Sequence, residues 1–283
     1  MDYYKMIFKR KSFHLFRNRE MISNEELSEL KAFAGRVVPL DDEIRFKIKI
    51  VPEIETTCNR GAEYCIEFYS EEKGNYLRNI GYIGEQLDLW LADRNIGALW
   101  FGIGKPDEES ENHMKFVIMI AIAKMPENSF RKDMFKAKRK TLDEIWFGDT
   151  LSVAEIVRFA PSACNTQPWI VENNGDVLTV FRYKKPGKRG IMPVDKVRYY
   201  NKIDIGIFLF LLEICLEHKG YSYTGIQFYE DASDEVERVV VAKYEISQQL
   251  NGNRRNSVNS SLFISNCLFL DIKSSFLYYI KET

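Results

Sequence analysis

Apolar residues recur at helical spacing in two long stretches of the chain, residues 81–97 and 203–220. The apolar stripes are Ile83, Leu87 and Leu91 in the first stretch, and Ile207, Leu211 and Ile214 in the second. This spacing predicts two amphipathic helices. Gly97 and Gly220 follow the stripes, as glycine commonly does where a helix ends. An Ile-Gly pair lies near the start of each helix (Ile83-Gly84 and Ile205-Gly206), where a small residue lets another element approach closely.

Strand-like runs flank both predicted helices. They lie at residues 62–70, 115–123, 176–184 and 238–246 and are rich in β-branched and aromatic residues, which favours strands. The order strand, helix, strand, strand occurs in both halves and suggests tandem α+β units that arose by duplication. An ordinary mixed fold repeats such elements too, so the pattern alone leaves both interpretations open. Residues 125–149 are polar and basic and are predicted to connect the halves.

Composition and charge narrow the function classes. The chain has 283 residues, enough for one large domain or two modest ones. Its 40 basic and 41 acidic residues leave a net charge of −1, which predicts no general attraction to nucleic acid. Apolar runs are too short to span a bilayer, and the N-terminus does not resemble a secretion signal. Five scattered cysteines are expected to be reduced thiols. Together these features predict a cytoplasmic protein without a metal site.

A basic segment near the N-terminus, "FKRKSFHLF", places four candidate site residues close together: Arg10, Lys11, Ser12 and His14. Such a run is commonly a solvated charged surface. It is also a candidate anion site, because arginine offers paired hydrogen bonds, lysine a point charge and serine a neutral donor to a phosphate. The segment alone does not decide between these interpretations.

A second polar segment, "APSACNTQPW" at residues 160–169, lies around two prolines. The residue before Pro161 is pushed out of the helical conformation, so the preceding helical stripe is predicted to end there. Ser162, Asn165 and Gln167 supply hydroxyl and amide groups that both donate and accept. This mixture suits the edge of a planar heterocycle or a polyol chain, although a polar turn has the same composition.

This second segment resembles the Pro-Ser-Ala-x-Asn-x-Gln-Pro-Trp signature of the nitroreductase family of flavoproteins. "KRKSFHLF" is similar to the family's N-terminal Arg-x-Ser flavin-phosphate motif, and "NIGALWFGIG" to its glycine-rich segment after the central helix. The likeness extends to about Lys243. It implies an α+β fold in which two tandem nitroreductase-like halves, residues 1–140 and 141–246, form an intramolecular pseudo-dimer. Residues 247–283 would be a C-terminal tail of unknown role.

The two motifs lie in different halves of the chain, whereas in ordinary family members the polar motif follows the basic one closely. Those members are homodimers with two flavin sites, each assembled from both subunits. The resemblance therefore implies one composite flavin site per chain, with the phosphate segment in the first half and the polar loop in the second. The chain would be a monomer or a weak homo-oligomer.

The resemblance also implies roles for individual residues. Arg10, Lys11 and Ser12 would hold the flavin phosphate, with His14 at a position that is often basic in the family. The residues implied for the ring and the ribityl chain are Pro161, Ser162, Asn165 and Gln167, with Gly102 close to the ring. Lys138 and Lys140 match a late basic motif that reaches the phosphate, and Arg139 is expected to point elsewhere. Cys164 is expected to be a small packed residue.

The implied function is that of an FMN-dependent oxidoreductase. It would use NAD(P)H to reduce nitroaromatics, quinones or similar small-molecule acceptors by ping-pong hydride transfer. The chemistry would take place on FMN, so no catalytic side chain is expected. Two alternatives stay open: an FMN-binding protein without turnover, for storage or sensing, and a specialised flavin reaction such as reductive dehalogenation.

Overall fold

A computed structural model of the chain describes residues 1–183, 192–231 and 237–248. The helices in these ranges are α1 (Tyr3–Lys9), α2 (Asn24–Ala34), α3 (Tyr76–Asp93), α4 (Leu142–Ile145), α5 (Ala154–Val157) and α6 (Val194–His218). The strands are β1 (Phe46–Pro52), β2 (Tyr64–Ser70), β3 (Ile96–Phe101), β4 (Ser110–Glu111), β5 (Met114–Lys124), β6 (Trp146–Gly148), β7 (Trp169–Asn173), β8 (Val177–Tyr183), β9 (Tyr221–Phe228) and β10 (Arg238–Gln248). The four predicted strand runs correspond to β2, β5, β8 and β10.

The strands form two sheets with the same internal order. The first sheet runs β1-β2-β5-β3, with β4 paired to β5, and the second runs β6-β7-β8-β10-β9. Apart from the parallel pair β6–β7, the pairs are antiparallel. Leaving out β4 and β6, each sheet places its first, second, fourth and third strands side by side. In each, the long helix α3 or α6 follows the second strand.

Helices α3 and α6 pack against each other through glycines. A Cβ atom on Gly206 would lie 1.9 Å from the carbonyl oxygen of Arg78, and one on Gly81 would lie 2.0 Å from that of Ile203. Both distances are far below van der Waals contact, so only glycine permits this approach. The predicted close approach is confirmed at Gly206. It is also confirmed at Gly84, where a Cβ atom would lie 2.3 Å from Cη2 of Trp100 on β3.

The helix ends differ from the prediction in one place. Gly220, at φ +76°, follows α6 as expected. Gly97 does not end α3, because Asn95 adopts a left-handed conformation at φ +56° and turns the chain two residues earlier. Gly97 therefore lies within β3.

The described residues belong to one compact unit, Met1–Gln249. The predicted tail lies outside the described residues except for Ser247 and Gln248, which end β10. The division at residue 140 stays a prediction, although the connector 125–149 already contributes β6 to the second sheet. Across the described ranges, no helix is both long and apolar enough to cross a membrane.

Candidate functional site

The basic N-terminal segment and the polar loop, far apart in sequence, line one cavity of about 490 Å³. Predicted site residues in its lining are Arg10, Lys11, Ser12, His14, Pro161, Ser162 and Asn165, and the lining also includes Arg131, Arg139 and Cys164. Gly102, Lys138, Lys140 and Gln167 are not part of this lining. The cavity thus collects one large group of positive charges and one group of neutral polar side chains.

The basic segment is held in place by backbone pairing and by buried aromatic rings. Ser12 forms a parallel bridge with Ala98 of β3, and the amide of Phe13 donates to the Ala98 carbonyl at 3.0 Å. Phe13 and Phe16 are buried in an apolar cluster beneath the segment. Since these rings point inward, the polar side chain of Ser12 is left for the cavity.

Arg10 is buried and paired with a carboxylate on α3. Its Nη2 lies 3.0 Å from Asp88 Oδ2 and 3.4 Å from Ser12 Oγ. Asp88 Oδ2 also accepts a hydrogen bond from Trp100 Nε1 at 3.0 Å. One turn earlier on α3, burial raises the pKa of Glu85 well above its ordinary value, which favours the neutral carboxyl. Asp88 is therefore the carboxylate that balances the Arg10 charge.

Arg131 and Arg139 complete the charged side of the cavity. Desolvation and the nearby Arg10 charge lower the pKa of Arg131 to about 10. Desolvation and repulsion from Arg10, Arg131 and Arg158 lower the pKa of Arg139 to about 10 as well. Both groups stay protonated at neutral pH. Like charges held this close favour an anionic ligand, which would offset their repulsion.

The sequence prediction for Arg139 is wrong, because this side chain faces the cavity rather than pointing elsewhere. Its Nη1 donates to Asn165 Oδ1 at 2.9 Å, and its Nη2 donates to the Phe159 carbonyl at 3.2 Å. The adjacent Lys138 is exposed and contributes its carbonyl, which accepts hydrogen bonds from Asn165 Nδ2 and Arg139 Nη1.

Lys140 and Gln167 tie the connector to the polar loop. The Gln167 side chain is buried, and its Oε1 accepts from the Lys140 amide at 2.8 Å. In return, Lys140 Nζ donates to the Gln167 carbonyl at 3.1 Å. These contacts fix the loop position from behind, and a direct ligand contact of either residue stays a prediction.

Two buried polar residues of helix α6, Asn201 and Asp204, anchor the polar loop, and Thr166 of the loop is buried against them. Asp204 Oδ1 accepts from the Ala163 amide at 2.9 Å, and Thr166 Oγ1 donates to Asn201 Oδ1 at 2.9 Å. Burial raises the pKa of Asp204 to about 8, so its carboxyl is largely neutral at pH 7. Sequence reasoning missed these residues, although Asn201 and Asp204 are polar positions one turn apart, just before the apolar stripe of α6.

The loop backbone is strained where it borders the cavity. Cys164, Asn165 and Gln167 have φ values of 49°, 57° and 48°, in a region that residues other than glycine rarely adopt. Such strain persists where the surroundings fix it, and it concentrates at functional sites. The turn leaves Cys164 exposed, so the expectation that it is packed is wrong. Trp169, which ends the segment, is fully buried and stacks on Phe208 with ring centroids 4.9 Å apart.

Gly102 lies at a contact between β3 and α6. The Tyr200 hydroxyl donates to the Gly102 carbonyl, and a Cβ atom on Gly102 would lie 2.7 Å from Tyr200 Cε1. A side chain at this position would therefore displace the Tyr200 ring. The implied proximity of Gly102 to a flavin ring stays a prediction.

The similarity to one solved structure supports this fold. A protein from Thermotoga maritima described as a "putative nitroreductase" shares 18% identity at a TM-score of 0.57, over 87% of this chain and 94% of its own. A nitroreductase family protein from Clostridium novyi shares 16% identity at a TM-score of 0.35, over 46% and 92%. A "putative NADH oxidase" from Clostridium acetobutylicum shares 16% identity at a TM-score of 0.39, over 51% and 99%. No curated protein matches the sequence.

A family model covers most of the sequence. The model described as "Putative TM nitroreductase" matches residues 2–215. This span contains both segments that line the cavity, the whole of α3, and α6 as far as Cys215. The chain therefore belongs to this nitroreductase family.

Proposed function

We propose that the chain is an FMN-dependent oxidoreductase that uses NADH or NADPH to reduce nitroaromatics, quinones or similar acceptors. The observation that carries this proposal is the single cavity shared by the basic segment, Arg131, Arg139 and the polar loop. Membership of a nitroreductase family supports the oxidoreductase class. The positive side of the cavity supports a phosphate-bearing cofactor.

The donors around the cavity fit the phosphate end of FMN. Lys11, Arg131 and Arg139 would supply positive charge, and Ser12 a hydroxyl donor. Within the described part of the chain, Nε of Arg10 and Nε of Arg139 are buried without a hydrogen-bond partner. Buried polar atoms nearly always have a hydrogen-bond partner. The hydrogen bonding of Arg10 and Arg139 is therefore not completed by the described residues.

The polar loop fits the uncharged part of the cofactor. Ser162 Oγ accepts from the Gln167 amide at 3.0 Å, which leaves its hydroxyl hydrogen free to donate to a ribityl or ring oxygen. Asn165 holds Arg139 through its Oδ1 and would thereby orient the guanidinium toward the phosphate. Ser162 would make a direct contact, whereas Asn165 acts in part through Arg139.

When bound, FMN supplies hydride transfer between NAD(P)H and the acceptor. The two substrates would occupy the site one after the other, in a ping-pong cycle. The chain would bind and orient the reactants, so no side-chain acid or base is required. The repeated strand order of the two sheets supports an internal pseudo-dimer. Because the basic segment and the polar loop each occur once, we expect about one FMN per chain.

The test is titration of the purified full chain with FMN, followed by fluorescence, with heat-released flavin measured per chain. Arg139→Ala removes a charge-assisted contact of about 1.5–3 kcal/mol and should weaken FMN binding by about 10- to 150-fold. Lys136→Ala is the matched control, because Lys136 is an exposed cation on the same connector outside the cavity lining. It should bind FMN like the wild type.

The outcomes separate the parts of the proposal. Steady oxidation of NADH or NADPH with menadione supports the enzyme. Binding of FMN without reduction by either nicotinamide would instead support a binding protein without turnover. Wild-type affinity in Arg139→Ala would contradict the phosphate assignment, and about two FMN per chain would contradict the single composite site.

A further inference from the structure

Cys164 places an exposed thiol in the wall of the candidate site. The residue lines the cavity of about 490 Å³ and is exposed. The residues beside it are anchored from behind: the Ala163 amide donates to Asp204 Oδ1 at 2.9 Å, and Thr166 Oγ1 donates to Asn201 Oδ1 at 2.9 Å. Because its neighbours are fixed to α6, Cys164 stays at the cavity surface, where a molecule that enters the cavity can reach it.

The wall around Cys164 is positively charged. Among the described residues of the lining, none is acidic and four are arginine or lysine, namely Arg10, Lys11, Arg131 and Arg139. Asp88, which lies 3.0 Å from Arg10, balances one of these charges. A cavity lined by charges of one sign concentrates small ions of the opposite sign. An anionic reagent is therefore expected to reach Cys164 more often than a neutral reagent of the same size.

Two arginines of the same lining have hydrogen-bonding capacity left for a ligand. Arg10 is 3% exposed, and its Nε is buried without a hydrogen-bond partner among the described residues. The same holds for Nε of Arg139. Guanidinium groups pair most strongly with carboxylates and phosphates. The lining thus favours a ligand that carries such a group, and it holds that ligand in the same cavity as the thiol.

We propose that Cys164 is a site of S-thiolation by small disulfides that carry carboxylate groups. The Cys164 thiolate attacks one sulfur of the disulfide, a new S–S bond forms, the original S–S bond breaks, and the other half leaves as a thiolate. The Cys164 proton passes to water. The electron pair of the broken bond stays with the leaving sulfur, so no further oxidant is required. The retained half stays in the cavity, where its carboxylates pair with the arginines.

The fold makes this reaction selective among the described cysteines. Cys65 and Cys215 are fully buried and Cys58 is 8% exposed, so a dissolved reagent has little access to them. Cys267 lies outside the described residues. Modification of Cys164 would fill space that we assign to FMN, and this consequence rests on the proposed function. The modification itself requires only the thiol and the surrounding cations.

The test compares the rates of two disulfides with the full chain at about pH 8 and low salt. Dithiobis(nitrobenzoate) is an anionic dicarboxylate, dithiodipyridine is neutral, and both release a coloured thiol. We expect the anionic-to-neutral rate ratio at Cys164 to exceed that of a neutral model thiol, N-acetylcysteine amide, by about tenfold or more. Sodium chloride at about 0.5 M should reduce this excess by screening. Peptide mapping should place the adduct on Cys164, and dithiothreitol should remove it.

Three variants identify the groups responsible. Cys164→Ser should abolish the fast reaction with the anionic disulfide. Arg139→Ala removes one charge of the lining and should lower the anionic-to-neutral rate ratio severalfold. Lys136→Ala is the matched control, because Lys136 is an exposed cation outside the lining, and it should leave the ratio unchanged.

The wild-type measurements decide the matter without any variant. A rate ratio equal to that of the model thiol at low salt would overturn the proposal. An adduct mapped to another cysteine instead of Cys164 would overturn it too. FMN binding and turnover do not enter these readouts, so a failure here is distinguishable from a failure of the proposed function.

Discussion

Glu213 is expected to make the folded chain less stable as the pH rises through the weakly acidic range. Its carboxyl lies buried on α6 and accepts hydrogen bonds from Tyr82 on α3 at 2.6 Å and from Tyr244 on β10 at 2.8 Å. Burial raises its pKa from 4.5 to about 7, although both tyrosine hydroxyls lower it. The native state thus holds the Glu213 proton more tightly than the unfolded chain does.

The sign and size of the effect follow from this shift. Below about pH 4.5 both states are protonated, so Glu213 adds no pH dependence. Between about pH 4.5 and pH 7 only the unfolded state releases the proton, and stability falls with rising pH. Each unit of pKa shift corresponds to about 1.4 kcal/mol. The full loss is therefore about 3 kcal/mol, complete once the pH exceeds the folded-state pKa.

Glu213→Gln isolates this contribution. Glutamine keeps the shape and an acceptor oxygen but cannot ionise, so the variant should gain about 3 kcal/mol relative to wild type between about pH 4.5 and pH 8. Urea unfolding of both proteins, followed by tryptophan fluorescence, measures the difference at each pH. Other buried acids such as Asp204 are present in both proteins, and their contributions cancel.

Glu25→Gln is the control, because Glu25 is an exposed carboxylate on a different helix, α2. Its pH profile should run parallel to that of the wild type. If the difference between Glu213→Gln and wild type stayed constant within about 0.5 kcal/mol over this range, the reasoning about a neutral buried carboxyl would be refuted.

Two further predictions concern the helix pair and the polar loop. Gly206→Ala should lower the free energy of unfolding by about 3 kcal/mol or more, because the new Cβ meets the Arg78 carbonyl. Gly35→Ala is the control, because its Cβ has room and should not lower the stability in this way. Equal effects of the two substitutions in urea unfolding would contradict this reasoning. Asp204→Ala removes the acceptor for the Ala163 amide at a cost of about 1–3 kcal/mol and should weaken FMN binding about tenfold in titration. Asp204→Asn keeps an acceptor oxygen, so its FMN affinity should stay near that of the wild type. Wild-type affinity in both variants would show that the anchoring of the loop by Asp204 does not contribute to FMN binding.

The periodic parts of the fold could be predicted from sequence. Strands β2, β5, β8 and β10 and helices α3 and α6 all contain apolar patterns that a local rule detects. The end of α3 was predicted wrongly because Asn95, rather than the more obvious Gly97, adopts the left-handed conformation. Asparagine tolerates that conformation well enough to compete with glycine at a turn.

The site residues that belong to a sequence motif could be predicted. Those whose position depends on tertiary contacts could not. Lys138, Arg139 and Lys140 are adjacent cations in an irregular connector, and no period says which of them faces inward. The contacts of Arg139 with Asn165 and Phe159 settle that choice. Arg131 was not predicted for the same reason. It reaches the cavity because the connector folds back onto the N-terminal segment, where the Arg131 amide donates a hydrogen bond to the Lys9 carbonyl.

The charge of the cavity depends on which nearby carboxyl groups are ionised. Glu85 and Asp88 lie on α3 near Arg10, and ionisation of both would outweigh the Arg10 charge. Burial instead favours the neutral form of Glu85, so Asp88 alone balances Arg10, and the charges of Arg131 and Arg139 remain. A net charge of −1 for the whole chain therefore coexists with a positive cavity, because the local balance is set by burial and not by residue counts. This local excess of positive charge is the physical reason to expect an anionic group in the cavity.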